Sequence, residues 1–137
     1  MAENNNTKML KLALIIITIV SLVYGLAYLL IPSSLVNYSG GNPVEASWMR
    51  WSGGVIIAWA VGTLMVYSNP EKQKIFETYH ALVHLLAVLG LLYGWMMQEY
   101  NGATWFIAIP TLLLLILTVL ILWGRNQAKE ILKIREK

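Results

Sequence analysis

Apolar residues along this chain are gathered into long runs, and polar residues fall between them. Positions 12–31 carry no charge, and neither do 51–67, 78–98 and 102–124. Crossing the hydrocarbon core of a bilayer takes about 20 mainly apolar residues, within a range of roughly 17 to 25. The runs therefore predict four transmembrane helices, at about 10–31, 48–67, 74–97 and 103–124, with a basic tail over 125–137. The connections are short, which predicts an all-α integral membrane bundle of four antiparallel helices forming one membrane domain.

Turn-forming residues sit where the runs stop. The first helix is expected to end at Pro32, and the stretch "PSSLVNYSGGNPVEAS", with its two prolines and paired glycines, reads as the longest loop. Asn69-Pro70 breaks the second helix, and "QEYNGA" reads as a tight turn before the fourth. Pro110 lies inside that helix and is expected to kink it. The segment "GRNQAKEILKIREK" has the pattern of a helical continuation. Asn37-Tyr38-Ser39 matches a glycosylation sequon. The first run exceeds the 7–15 apolar residues of a signal peptide, and Ile31-Pro32-Ser33-Ser34 has no small-x-small cleavage pattern, so that helix is expected to be retained.

Composition sharpens this picture. Charged residues make up 12% of the chain, about half the roughly 25% of soluble domains. There is no cysteine, which excludes disulfides, thiolate metal sites, cysteine nucleophiles and c-type haem attachment. Of the 10 basic residues, all but Arg50 fall on one side of the predicted membrane: Lys8, Lys11, Lys72, Lys74, Arg125, Lys129, Lys133, Arg135 and Lys137. The positive-inside rule places that side, with both termini, in the cytoplasm of a cell-membrane protein. Trp48, Trp51, Trp95 and Trp105 gather at the opposite ends of the helices and Tyr67 and Trp123 at the cytoplasmic ends, as interfacial belts do. The net charge of +3 thus marks topology and contact with anionic lipid, with no nucleic-acid partner.

The candidate chemistry lies in "ETYHALVHLLAVLG". Glu77, His80 and His84 fall within an arc of roughly 60° on a helix, and the two histidines are the only ones in the chain. At about 1.5 Å per residue, Glu77 lies near the cytoplasmic interface, His80 about 10 Å in and His84 about 16 Å in. Ionisable groups at such depth face the bundle interior or a wet cavity. Three roles stand open for this stripe. The imidazoles can be structural, bonded to carbonyls or hydroxyls of other helices, with Thr18, Ser21 and Tyr24 at matching depth. The stripe can relay protons or hold a quinone or other polar headgroup. Or His80 and His84 can share a metal, although "HALVH" lacks the internal Glu of the zinc motif. Haem held by two histidines of this one chain is excluded, because both lie on one face of one helix.

Arg50 opens the second helix in "WMRWSGG", where it can reach water, pair with Glu45 or Glu99, or clamp an anion or headgroup. Gly54, Ala58 and Gly62 form a small-xxx-small row, and Gly90 and Gly94 a GxxxG pair. These rows are expected to pack helices within the bundle, with a self-association seam as the alternative.

In sequence order, "GLAYLLIPSSLV", "MRWSGGVIIAWAVGTLMV", the "NP" break and "HALVH" resemble the DoxX-like superfamily of small four-helix membrane proteins. The likeness spans roughly residues 20–95 and rests on Gly25, Pro32, Arg50, Gly53, Gly54, Gly62, Pro70 and His84. It implies a small bundle that works with partner subunits, in some members beside quinone chemistry, and it carries over no catalytic residue. The chain itself has no nucleophile constellation, phosphate loop or aspartate. The expectation is therefore an accessory subunit of a larger membrane complex, of redox type, without catalytic activity of its own. The alternatives are a quinone-, metal- or proton-handling enzyme built on Glu77, His80 and His84, and then a transporter. A transporter is expected to show helix breaks in matching halves, and only Pro110 provides one.

Overall fold

The computed structural model describes residues 5–42 and 46–134, with all side chains there except those of Asn5, Asn6, Glu71, Lys74, Glu77 and residues 129–134. The described chain is all-helical. In order it runs α1 (Asn5–Leu30), α2 (Pro32–Tyr38), α3 (Ala46–Ser68), a 3-10 turn (Pro70–Lys72), α4 (Lys74–Met96) and α5 (Trp105–Ile134). Four of these contain segments long and apolar enough to cross a membrane: Thr7–Leu30, Ala46–Ser68, Thr78–Met96 and Trp105–Ala128. Their outer faces agree. Ile19, Val23, Leu86, Leu89, Ile116 and Val119 are all more than half exposed. Such a surface is a liability in water and a match for lipid tails. This is a membrane protein.

The stretch after Pro32, expected as a loop, is partly a helix. Proline pushes the residue before it out of helical conformation, and Ile31 sits at φ −128°, ψ 40°, which ends α1. The same ring suits the first position of a new helix, where a missing N–H costs nothing, so Pro32 both stops α1 and starts α2. Gly40, at φ +68°, closes α2: its N–H donates to the Asn37 carbonyl at 3.1 Å and the Gly41 N–H to the Val36 carbonyl at 3.2 Å. That is a Schellman closure, which glycine adopts without a Cβ penalty. The sequon falls within this closure. Ser39 is buried and its hydroxyl donates to the Val36 carbonyl at 2.8 Å, so the sequon is not displayed as an accessible extended strand. At the other end of the chain α5 runs unbroken through Pro110 and on through the start of the basic tail.

Helix α1 packs against α3 on one side and α5 on the other, and α4 packs against α5; α3 and α4 scarcely approach along their backbones. Glycine sets the closest approaches. A Cβ on Gly53 would lie 2.7 Å from both the Gly25 carbonyl oxygen and the Leu29 nitrogen, and one on Gly124 would lie 2.7 Å from the Leu10 Cα. The small-residue rows expected to do this work do not. Gly54, Ala58 and Gly90 are exposed, and no atom lies within 4 Å of a Cβ built on Gly54, Gly62 or Gly90. A Cβ on Gly94 would meet only the Glu99 carboxylate, at 3.3 Å. Gly54 follows Gly53 by one residue, a turn of about 100° on the helix, which is enough to move it from the α1 seam to the outside.

The interior is divided into two halves. Leu10, Leu14 and Ile17 of α1, Val66 of α3, Ala81 of α4 and Leu117, Ile121 and Ala128 of α5 make a continuous apolar core. All belong to the end that carries the 3-10 turn. Toward the α2 end the same four helices surround a cavity instead.

The adjacent glycines of α3 give a direct check. Gly53→Ala forces α1 and α3 apart and is expected to destabilise the bundle by about 1–3 kcal/mol. Gly54→Ala meets no atom and is expected to be neutral or to stabilise by up to about 1 kcal/mol through helix propensity. Thermal unfolding of the two variants in one detergent separates them.

Candidate functional site

Where the filled half meets the hollow half lies a layer of polar and aromatic side chains. Both histidines belong to it, His80 1% and His84 3% exposed. The expectation that they face protein holds for both; Glu77, expected in the same stripe, has its side chain outside the described ones. The neighbour they meet is α3. His80 Nδ1 is 2.7 Å from the Phe76 carbonyl and its Nε2 is 2.6 Å from the Thr63 hydroxyl. A carbonyl only accepts, so Nδ1 carries the hydrogen and, in the neutral ring, Thr63 donates to Nε2. The Thr63 hydroxyl also lies 2.9 Å from the Trp59 carbonyl, an alternative acceptor for the same hydrogen. Thr18, expected as a partner for the imidazoles, donates to Leu14 of its own helix at 2.9 Å.

Trp59 fills the space between α3 and α4. Its ring lies 4.1 Å from that of His80, tilted by 37°, 5.1 Å from Tyr79 and 5.9 Å from His84, to which it stands edge-on at 68°. One indole therefore touches three sites along α4. The sequence gives no mark that singles out Trp59 or Thr63, since helical periodicity shows which face a residue shares but not which helix is opposite.

His84 is wired differently. Its Nδ1–H donates to the His80 carbonyl at 2.7 Å. Its Nε2 has no hydrogen-bond partner among the described residues, and the ring lines the cavity. The cavity has a volume of about 540 Å³, within the roughly 300–1,000 Å³ of sites that hold a drug-sized molecule. Its walls are mostly aliphatic and aromatic, with contributions from α1, α3, α4 and α5. Among the described residues few polar ones line it: besides His84 they are Ser21, Tyr24, Tyr28, Tyr79 and Trp59. Ser21 and Tyr24, expected near the histidines from depth alone, do share this site with His84. Three lining residues are also exposed, Val55 on α3 and Tyr79 and Gly90 on α4. The cavity thus reaches the surface between the two helices that stay apart, on the side facing lipid.

This arrangement does not offer the paired nitrogens of a metal chelate. Both His80 nitrogens are engaged, and both Nδ1 atoms are held by backbone carbonyls. Among the described residues no three His, Cys, Asp or Glu side chains come together. Arg50 stands apart from this layer. Its Nε–H donates to the Leu29 carbonyl at 3.3 Å, at the end of α1 where carbonyls lack intrahelical partners. Among the described residues it makes no ion pair: Glu99 is not its partner, and Glu45 lies outside the described residues. Arg50 therefore caps α1 through this bond.

No family model, no curated protein and no solved structure matches this chain.

The Thr63–His80 bond ties α3 to α4; removing Thr63 leaves His80 Nε2 buried and unsatisfied, and removing His80 takes away the tie while Thr63 keeps the Trp59 carbonyl. Thr63→Val and His80→Phe are each expected to cost about 1–3 kcal/mol. The double variant is expected to cost less than their sum by at least about 0.5 kcal/mol. Unfolding in micelles of the three variants, set against the parent, measures that coupling.

Proposed function

We propose that this chain takes a lipophilic small molecule from the bilayer into the cavity beside His84. The observation that carries the reading is a buried imidazole nitrogen without a partner at the wall of a cavity that opens toward lipid. Apolar walls with a few placed polar groups are what small-molecule sites are made of. A molecule of the quinone class in its reduced quinol form has that shape and carries hydroxyls, and the DoxX-like resemblance leads toward the same class. The bundle is proposed to be antiparallel, which is supported by Gly25 against Gly53, Gly124 against Leu10 and Lys11 over the Tyr67 ring at 5.9 Å. With the basic residues on the side of the termini, it sits N-in and C-in in the cell membrane.

A second reading has its own support. The small residues with room beside them, exposed Gly54 and Ala58 and half-buried Gly62 on α3 and exposed Gly90 on α4, let a further helix come close. They suit an accessory subunit of a larger membrane complex, redox complexes included, or self-association. A bound lipophilic molecule and a partner subunit are compatible with each other.

Purification in gentle detergent tests both at once. The parent protein is expected to carry a lipophilic molecule that organic solvent extracts and mass spectrometry detects. Ala87→Trp, which fills the cavity from its wall, is expected to lose most of it while remaining folded. Extracts without such a molecule, together with stoichiometric partner chains, would leave the subunit reading alone.

The topology has a simple check because the chain has no cysteine. Asn101→Cys is expected to react with a membrane-impermeant maleimide on intact cells. Lys72→Cys is expected to react only after the membrane is opened, and the reverse pattern inverts the orientation.

A further inference from the structure

His84 sets the chemistry of what this cavity can hold. Its Nδ1 faces a carbonyl oxygen at 2.7 Å, so in the neutral ring the lone pair is on Nε2. That atom is an acceptor, on a side chain only 3% exposed, and the ring lines the cavity. A buried acceptor calls for a donor. Ser21, itself buried, and Tyr24 also line the cavity, and their hydroxyls make no hydrogen bond among the described residues. A ligand hydroxyl fits this set on both counts, giving its hydrogen to Nε2 and accepting one from Ser21 or Tyr24. A ketone or an ether has no hydrogen to give. An ionised carboxylate has none either and brings a charge into apolar walls. An ammonium has hydrogens to give, but among the described residues no Asp or Glu lines the cavity to balance it.

Resting on the cavity reading above, we propose that the ligand is a neutral lipophilic molecule headed by a hydroxyl, an alcohol or a phenol, that donates to His84 Nε2. It reaches the site sideways from the lipid between α3 and α4. The lining sets the route: its exposed members, Val55, Tyr79 and Gly90, all lie on those two helices, which scarcely approach each other.

Matched probes test this on the full chain in phosphatidylcholine nanodiscs, with binding followed by tryptophan fluorescence, since Trp59 lines the cavity. One pair is farnesol and its methyl ether; the other is dodecylphenol and its methyl ether. At least one hydroxyl probe is expected to bind about tenfold more tightly than its ether, the worth of one hydrogen bond to a buried acceptor. The pair that shows the preference identifies the source as aliphatic or phenolic. His84→Phe is expected to abolish the preference and leave the ether's affinity in place. If ethers bind as well as their parents, the hydroxyl proposal is wrong while the cavity reading stands. If none of the four binds, the cavity reading fails and this proposal with it. A measurement on the unaltered protein does not depend on how the variant folds. With ¹⁵N-labelled histidine, His84 Nε2 is expected to resonate as an unprotonated ring nitrogen and to shift upfield with the preferred probe. A protonated Nε2 would overturn the proposal. Gly90→Leu, at the mouth, is expected to slow association severalfold and keep the hydroxyl preference; an unchanged association rate would overturn the lateral route.

Discussion

Helix α3 is drawn onto α1 and held away from α4, and the rest of the structure depends on that imbalance. On one side, Gly25 and Gly53 let main chain touch main chain. On the other, the largest side chain type available stands between the helices, with Trp59 against Tyr79, His80 and His84. Dispersion contact favours the close seam, since helices in lipid gain little from burying apolar surface and much from fitting closely. The ring on the far side sets a minimum separation there. A bundle closed tightly on one side and propped open on the other encloses space, and its opening lies on the propped side.

Polar groups elsewhere in the spans show how unusual His84 is. Thr18, Ser52, Ser68, Thr111 and Thr118 each return their hydroxyl to a carbonyl of their own helix, at 2.7 to 3.0 Å. Such back-bonding satisfies a hydroxyl where there is no water to do so. His80 goes further and satisfies both ring nitrogens. Against that economy, His84 Nε2 and the buried Ser21 hydroxyl are left open among the described residues, both on residues that line the cavity, and exceptions of this kind are where a protein meets something other than itself.

Much of this was legible in the chain, and the limits have physical causes. Four spans are set by the length of the uncharged runs, because bilayer thickness is a fixed ruler. That His80 and His84 turn inward comes from the cost of exposing imidazole to lipid. Their neighbour was not legible. A helical face has a direction only relative to its own axis, so periodicity could not choose between Thr18 on α1 and Thr63 on α3. The glycines failed for a related reason: Gly53 and Gly54 are equally small, and only the crossing with α1 distinguishes them. Pro32 was legible as a stop and not as a start, because both roles use the same ring and only the conformation of residues 33–38 distinguishes them.

Two histidines one turn apart on the same face carry different parts of the design. His80 is consumed by structure, tying α4 to α3 through Thr63 beside the filled half of the bundle. Past that tie, toward the α2 end, no comparable bond joins the two helices among the described residues, and there Val55 and Gly90 border the mouth. His84 stands at the boundary and lines the cavity, with one nitrogen held by the turn below it and the other without a partner among the described residues. The carbonyl that holds its Nδ1 belongs to His80 itself. The residue that ties α4 to α3 thus also supplies the carbonyl that fixes which nitrogen of His84 can accept. Moving the tie by one residue would alter the spacing and leave that tautomer as it is, because the hydrogen bond that sets the tautomer is internal to α4. Spacing and acceptor chemistry are therefore separable by mutation, the first through Thr63 and the second through His84.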